Sequence, residues 1–305
     1  RARDTQVGGV CGHPKGRHMK ALWLLMLWLI TLQASALQVT DDRGKVVTLA
    51  QPPQRVITLL PSLTEAVCEL GACARLVGVD NYSNWPNQVR SLPHLGGLED
   101  VSIEMIFALR PDVVLLPASS RALTRLEGLG VKVIALDTKT LEDVQRVLGK
   151  LGQALGVSDS ARLWERLNTN IDAAAAALPA RLRNTTVYFE VNSGPYAASE
   201  SSFIGELLTR LGVTNIVPGA LGPFPRLNPE MVVRADPQVI MVSDRNAQAL
   251  KNRPGWDRIR AVRNGRVCMF TADQADVLAR PGPRMAESVQ LMVECLQGRL
   301  KGRAG

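Results

Sequence analysis

The sequence predicts an α/β fold: two lobes with mostly parallel sheets, joined by a single long backbone helix. Three observations carry that expectation. Short β-branched and leucine-rich runs alternate with helix-period stretches along the chain, the pattern of parallel strands linked by helical crossovers. Near mid-chain, residues 158–182 read as one helix: Leu163, Leu167, Ile171 and Leu178 form an apolar stripe, and five alanines fill Ala173–Ala177. No Gly or Pro interrupts that run before Pro179, and Ser158 or Asp159 stands where a cap belongs. The stretches on either side of it also echo each other. Residues 102–116 read SIEMIFALRPDVVLL and residues 228–242 read NPEMVVRADPQVIMV, which pairs Glu104 with Glu230, Met105 with Met231 and Pro111 with Pro237 without a gap. A helix–proline–strand unit can recur by chance, and a crossover helix inside one domain has the same local pattern. The ungapped match on opposite sides of the helix favours two related lobes.

In chain order, residues 38–49 read as a hairpin about an Asp41-Asp42-Arg43-Gly44 turn. A strand follows at 55–60, then Ser62-Leu63-Thr64-Glu65 reads as a capping box opening a helix that ends at Gly71. A strand at 76–79 leads into a polar loop with Tyr82, Trp85 and Pro86. Ser102 caps a short helix, Pro111 introduces a strand at 113–116, and a helix near 123–129 and a strand at 131–136 follow. The helix at 141–155 precedes the long one. Beyond it come a strand at 186–191, helices at 203–211 and from Pro229, and a strand at 239–242. A helix at 256–262, a strand at 267–270 and a last helix at 284–300 complete the pattern. The expected divisions are an upstream extension at 1–18, a signal peptide at 19–36, lobes at 37–157 and 183–305, and the backbone helix at 158–182.

The expected address is the periplasm. Met19-Lys20 opens a basic start, an apolar run follows to Leu32, and Ala34-Ser35-Ala36 has the small residues of a cleavage site. That run is shorter than the ~20 residues a spanning helix needs, and no cysteine follows the cleavage site for lipid attachment. Of the 305 residues 46% are hydrophobic and 21% charged, which is ordinary for a folded protein. The whole chain carries +8, but without residues 1–36 it has 31 basic and 27 acidic residues, scattered rather than clustered. Nucleic acid is therefore a poor partner. Cys68, Cys73, Cys268 and Cys295 are an even set for an oxidising compartment, and pairings within each half, Cys68–Cys73 and Cys268–Cys295, are favoured. Zinc ligation lacks paired knuckle spacing; free buried thiols remain open.

Little catalytic chemistry is visible. His94 is the one histidine left beyond the leader, and a loop histidine beside Pro93 is more often solvated than catalytic. Glycine-rich phosphate loops are absent. No cofactor and no metal is expected, and the protein reads as a non-enzyme. The candidate binding residues are aromatic. Tyr82, Trp85 and Phe224 stand in polar, proline-bearing loops, although aromatics make only 4% of the chain. Each alone more commonly packs its loop; three at lobe edges suit a broad, partly apolar ligand. Glu104 and Glu230 each fall in a helix first turn, where the helix dipole explains either one. As a pair, one per lobe, they are placed to dock on arginines of a two-fold partner.

The strings RVITLLPSLTEAVCELGACARLVGVDNYSNWP, IEMIFALRPDVVLL and LGVKVIALDTKTLEDV resemble the helical-backbone class of ABC-importer substrate-binding proteins, and within it the cobalamin-binding branch. The resemblance spans about residues 38–300. It implies two lobes about one helix, a ligand in the cleft, and a ligand-contacting tyrosine at Tyr82. It also implies a second contact segment at Asp273, Gln274, Ala275, Asp276, Val277 and Leu278, an aromatic at Phe224, and permease docking through Glu104 and Glu230. An aromatic that the family carries before the first docking helix is Leu98 here, and those after the second-lobe Asp are Gln274 and Ala275, so Trp85 would have to supply stacking area. The expected ligand is cobalamin or another corrinoid, the expected partner an ABC permease dimer. Haem, with Tyr82 or His94 as axial ligand, and a ferric siderophore held by Arg226 and Arg280 are alternatives within the fold. A secreted hydrolase using Asp and Glu, or a pure interaction module, are those outside it.

Overall fold

In the computed structural model, residues 2–5, 8–9, 36–192, 194–243, 250 and 252–300 are described. The expected signal peptide lies outside the described residues except for Ala36. Leu37–Thr40 (β1) and Val46–Leu49 (β2) form the expected antiparallel hairpin. The carboxylate of Asp41 accepts the backbone N–H groups of Arg43 and Lys45, both at 2.9 Å, and so closes the turn.

Two sheets follow. Val56–Thr58 (β3), Leu76–Val79 (β4), Val113–Leu116 (β5) and Val133–Ala135 (β6) pair in parallel in the order β4-β3-β5-β6. In the second lobe Thr186–Asn192 (β7), Tyr196–Ala197 (β8), Thr214–Asn215 (β9), Val239–Ser243 (β10) and Val267–Phe270 (β11) run in the order β11-β10-β7-β8, with β9 also on β7. Only β8 is antiparallel there. Because successive strand side chains face opposite ways, each sheet feeds two cores. Val113 and Leu115 of β5, and Val239 and Met241 of β10, belong to one shared central core. Val114 and Leu116 face a separate first-lobe core, and Ile240 and Val242 a separate second-lobe one.

The first-lobe helices are Pro61–Val67 (α1), Ile103–Ala108 (α2), Ala122–Gly128 (α3) and Leu141–Leu155 (α4). Ser160–Ala176 (α5) follows, and the second lobe adds Phe203–Arg210 (α6), Pro229–Ala235 (α7), Arg260–Arg263 (α8), Ala272–Ala279 (α9) and Met285–Leu296 (α10). Leu163, Leu167 and Ile171 of α5 are buried in the shared core with residues of α4 and α10, so the helix is an axle packed by both lobes. Gly152 lets α4 meet the start of α5: a Cβ there would stand 2.7 Å from the Cβ of Ser160. Gly156, at φ 66°, ends α4 in the left-handed region.

Three elements differ from the sequence pattern. The backbone helix stops at Ala176, because the residue before Pro179 is pushed away from helical backbone; residues 180–182 form a short 3₁₀ turn. Asp159 occupies the N-cap of α5 without a side-chain cap bond, its backbone being far from extended at φ −88°, ψ 8°. The helix expected at 62–71 is α1 followed by a π turn at Cys68–Ala72, broken at Gly71 (φ 79°). The helix expected at 256–262 divides into a 3₁₀ turn at Trp256–Arg258 and α8, since Ile259 is extended. The four cysteines among the described residues form two disulfides, Cys68–Cys73 beside α1 and Cys268–Cys295 joining β11 to α10, which leaves none of these four to ligate zinc.

Candidate functional site

The carboxyl ends of β4 and β11 lead to the same place. After β4, Asp80 turns the chain: it is buried, its Oδ1 accepts the N–H of Tyr82 at 2.7 Å, and its Oδ2 accepts the Ser83 hydroxyl at 2.6 Å. Thr64 and Thr58 extend this chain of hydroxyls inward, at 2.7 Å per link. His94 Nδ1 donates to the Asp80 carbonyl at 3.1 Å, so this histidine braces the loop. The loop is thus fixed from below while its aromatics face out, Tyr82 65% and Trp85 45% exposed.

Burial pushes the Asp80 carboxyl above its ordinary 3.8, more than its hydrogen bonds and the Arg280 charge pull it down. A carboxyl raised in the folded state stabilises the fold below the unfolded pKa, and that contribution is lost as pH rises through the folded one. Asp80→Asn is therefore expected to gain urea resistance relative to the parent as pH climbs from about 3.8 to neutrality. A stability difference independent of pH would contradict this.

Across from the loop, α9 and the start of α10 supply the counterpart. Asn84 Nδ2 donates to Asp276 at 3.0 Å. Arg280, 7% exposed, donates to the Tyr82 carbonyl at 3.0 Å, Asn84 Oδ1 at 2.8 Å, Asp276 at 2.7 Å and Glu65 at 2.8 Å. Arg284 forks onto both oxygens of Glu65, at 3.0 and 2.7 Å, and lies 5.0 Å from the Trp85 ring centroid. Two arginines are thus balanced by Glu65 and Asp276, and Arg280 is no free cation for an anionic siderophore. Arg226, exposed, donates to the Gly194 carbonyl at 2.8 Å.

Glu65, Asn84 and Arg284 are site residues that the sequence did not reveal. Ser62-Leu63-Thr64-Glu65 has the spelling of a capping box, yet Leu60 is the N-cap, Pro61 takes the first turn and no side chain caps α1. Glu65 is instead drawn across to the two guanidinium groups.

The other predicted ligand residues are divided. Asp273 is exposed in the first turn of α9, and Gln274 closes a real capping box there with Thr271, accepting its N–H at 3.0 Å. Val277 and Leu278 are buried, 7% and 2% exposed, so most of each side chain serves the interior. A cavity of about 400 Å³ lies on one side of α9, against Trp85, Asn84, Asp273, Gln274, Val277 and Arg284. One of about 150 Å³ lies on the other, at the ends of β7, β10 and β11, against Phe189, Glu190, Ser243, Ala275 and Leu278. Asp276 borders both. A larger depression of about 930 Å³ sits around Leu49, Phe107 and Lys132 and touches none of these residues. Phe224 stands at a second crossing between the lobes: its ring is edge-on to Phe203, 6.1 Å between centroids. There Phe203 N–H donates to the Lys139 carbonyl at 2.7 Å, and Glu206 accepts the Leu141 N–H at 2.6 Å.

Glu104 and Glu230 are both exposed, in the first turns of α2 and α7. Ser102 caps α2 through the Met105 N–H at 3.3 Å, and Asn228 caps α7 through the Glu230 N–H at 3.0 Å. Among the described residues no cluster of His, Cys, Asp and Glu could hold a metal ion, and no helix is long and apolar enough to cross a membrane.

A profile of the periplasmic binding protein family matches residues 56–273, which holds both sheets and the loop that carries Tyr82. The chain belongs to this family. Among relatives, a Bacillus subtilis protein named an uncharacterised ABC transporter substrate-binding lipoprotein is 27% identical over 270 residues, 85% of this chain and 84% of that one. A vitamin B12-binding protein of Vibrio vulnificus is 27% identical over 282 residues, 89% and 94% of the two chains. The crystal structure of a periplasmic haem-binding protein from Pseudomonas aeruginosa superimposes with a TM-score of 0.65 at 28% identity, covering 82% of this chain and 94% of that one. As a periplasmic binding protein, the chain binds a substrate for import and does not transform it, so the hydrolase alternative falls away. Its ligand is cargo rather than a cofactor, and its place of work is outside the cytoplasmic membrane.

Proposed function

We propose that this periplasmic binding protein captures cobalamin, or a closely related corrinoid, between its lobes and delivers it to an ABC permease dimer. The lobes would be residues 37–157 and 183–305 with 158–182 between them, the first preceded by a cleaved signal peptide at 19–36. The observation that carries the reading is the exposed pair Tyr82 and Trp85, held on a loop that the second lobe clasps at Asp276 and Arg280. Large aromatics kept in water on a rigid support are what a broad, partly apolar ring system needs. Asp273, Gln274, Ala275, Asp276, Val277, Leu278 and Phe224 would complete the surround, and the Vibrio vulnificus relative supports the choice of ligand.

A second reading, haem, is favoured by one feature. The Tyr82 hydroxyl has no hydrogen-bond partner among the described residues and is open to an axial metal. The Pseudomonas aeruginosa relative supports it. Calorimetric titration of residues 37–305 with cyanocobalamin and then hemin separates the two. The expected result is saturable one-to-one binding of cyanocobalamin, weakened ~10- to 100-fold by Tyr82→Ala, the ~1.4–3 kcal/mol of an aromatic anchor. Hemin binding alone, with a Soret shift abolished by Tyr82→Phe, would replace cobalamin with haem.

Docking would run through Glu104 and Glu230, one exposed carboxylate per lobe. Reversing both charges, Glu104→Lys with Glu230→Lys, is expected to leave ligand binding intact and abolish stimulation of the permease ATPase in proteoliposomes. Full stimulation by the double variant would move the docking surface elsewhere.

A further inference from the structure

We propose that Glu65 is the positioning residue of the ligand site, setting both exposed aromatics through two arginines while touching neither itself. The inference rests on the reading that Tyr82 and Trp85 meet the ligand. Glu65 is 3% exposed on α1 in the first lobe. Arg280 and Arg284 come from the second lobe, 215 and 219 residues further on. Arg280 shares its Nη1 between Glu65 and the Asn84 side chain, and its Nη2 donates to the Tyr82 carbonyl and to Asp276. Arg284 forks onto Glu65 and lays its guanidinium over the Trp85 ring. The position of one buried carboxylate therefore fixes the backbone of Tyr82 and the ring plane of Trp85 against α9.

The charges explain why a carboxylate is required. Two guanidinium groups converge on Glu65; Asp276, its side chain 42% exposed, is shared by Arg280 and Asn84, and Glu287, 53% exposed, stands 3.9 Å from Arg284. Glu65→Gln keeps the shape but turns an N–H toward a donor and leaves Arg284 only the exposed, more distant Glu287 to offset its charge. Arg284 then has reason to leave the Trp85 face for solvent, and the loop loses its register with the second lobe. A merely structural carboxylate would affect folding and leave the aromatics where they are.

The test uses residues 37–305 with Glu65→Gln, Trp85→Leu and the two combined, titrated with cyanocobalamin and with hemin. Glu65→Gln is expected to weaken binding by about tenfold or more, mainly through faster dissociation. The combined loss is expected to fall short of the product of the single losses by at least about threefold, the signature of residues acting as one unit. Losses that simply multiply would overturn the proposal. A readout free of ligand runs in parallel: the Trp85 contribution to tryptophan emission, taken as the difference between proteins with and without Trp85→Phe. Glu65→Gln is expected to shift that contribution, and an unchanged one overturns the positioning role. If the parent binds neither compound, the ligand assignment fails and the emission result alone decides on Glu65. Should Glu65→Gln not fold, Arg284→Met, which keeps an unbranched apolar stem, is expected to give the same emission shift and the same coupling to Trp85→Leu; absence of both overturns the proposal.

Discussion

Replacing Arg253 by leucine is expected to cost about 3–5 kcal/mol of folding stability, the largest loss of any single change considered, because it strands a buried carboxylate. Glu190, at the carboxyl end of β7, is 1% exposed. Arg253 holds it with two bonds, 2.5 and 3.0 Å, and stacks on Trp256 with 4.6 Å to the ring centroid. The Tyr188 hydroxyl donates to the same carboxylate at 3.0 Å. Burial first, and the neighbouring Glu190 charge second, keep the Tyr188 phenol protonated well above its ordinary range. Burial works to lower the Arg253 pKa, but its bonds to Glu190 more than offset that and raise it, so the guanidinium stays charged. Adding Glu190→Gln to Arg253→Leu removes the stranded charge and is expected to recover part of the loss. The urea midpoints of the single and double variants provide the measurement. A single variant within about 1 kcal/mol of the parent would mean that the carboxylate finds water or another partner.

Breaking the Cys268–Cys295 bond by alanine replacement is expected to cost about 3.5 kcal/mol, against about 2 for Cys68–Cys73. The difference comes from the chain each bond closes, with sequence separations of 27 and 5; the longer loop has more conformations to lose when cross-linked in the unfolded state. For a chain of this size the first loss corresponds to a fall in Tm of about 6 °C. Scanning calorimetry of the two double-alanine variants decides the order. If removing Cys68–Cys73 does the greater damage, loop entropy is not what the bonds contribute.

The sequence pattern reveals what is local and periodic. The alternation in β5 and β10 sorts their side chains between cores, and the repeated Pro-Glu or Ile-Glu helix starts place Glu104 and Glu230 in matching, capped, exposed positions. Tyr82 and Trp85 stand out because aromatics in a polar loop have no periodic core to join. What escapes a sequence reading is pairing at a distance. Glu65 spells a capping box with Ser62, a four-residue motif, and nothing nearby tells that its partners are Arg280 and Arg284. The end of α5 is hidden for a different reason: the alanine run keeps its helix propensity to Ala177, but Pro179 acts backwards on the backbone before it. Phe224 stands out from its loop in the same way, and what the loop does not tell is that its ring also packs edge-on against Phe203.

The separation of 215 residues between Glu65 and Arg280 also bears on how the protein comes into being. A chain made and exported from its amino end presents Glu65 long before either counter-ion exists. Until the last helix follows, α1 has an acid that belongs in the interior and nothing there to neutralise it. Closure of α1 against α9 is therefore expected late in biogenesis, since contacts so remote in sequence are slow to form. A chain cut short of Arg284 lacks the guanidinium that lies over Trp85 and half of the positive charge that converges on Glu65.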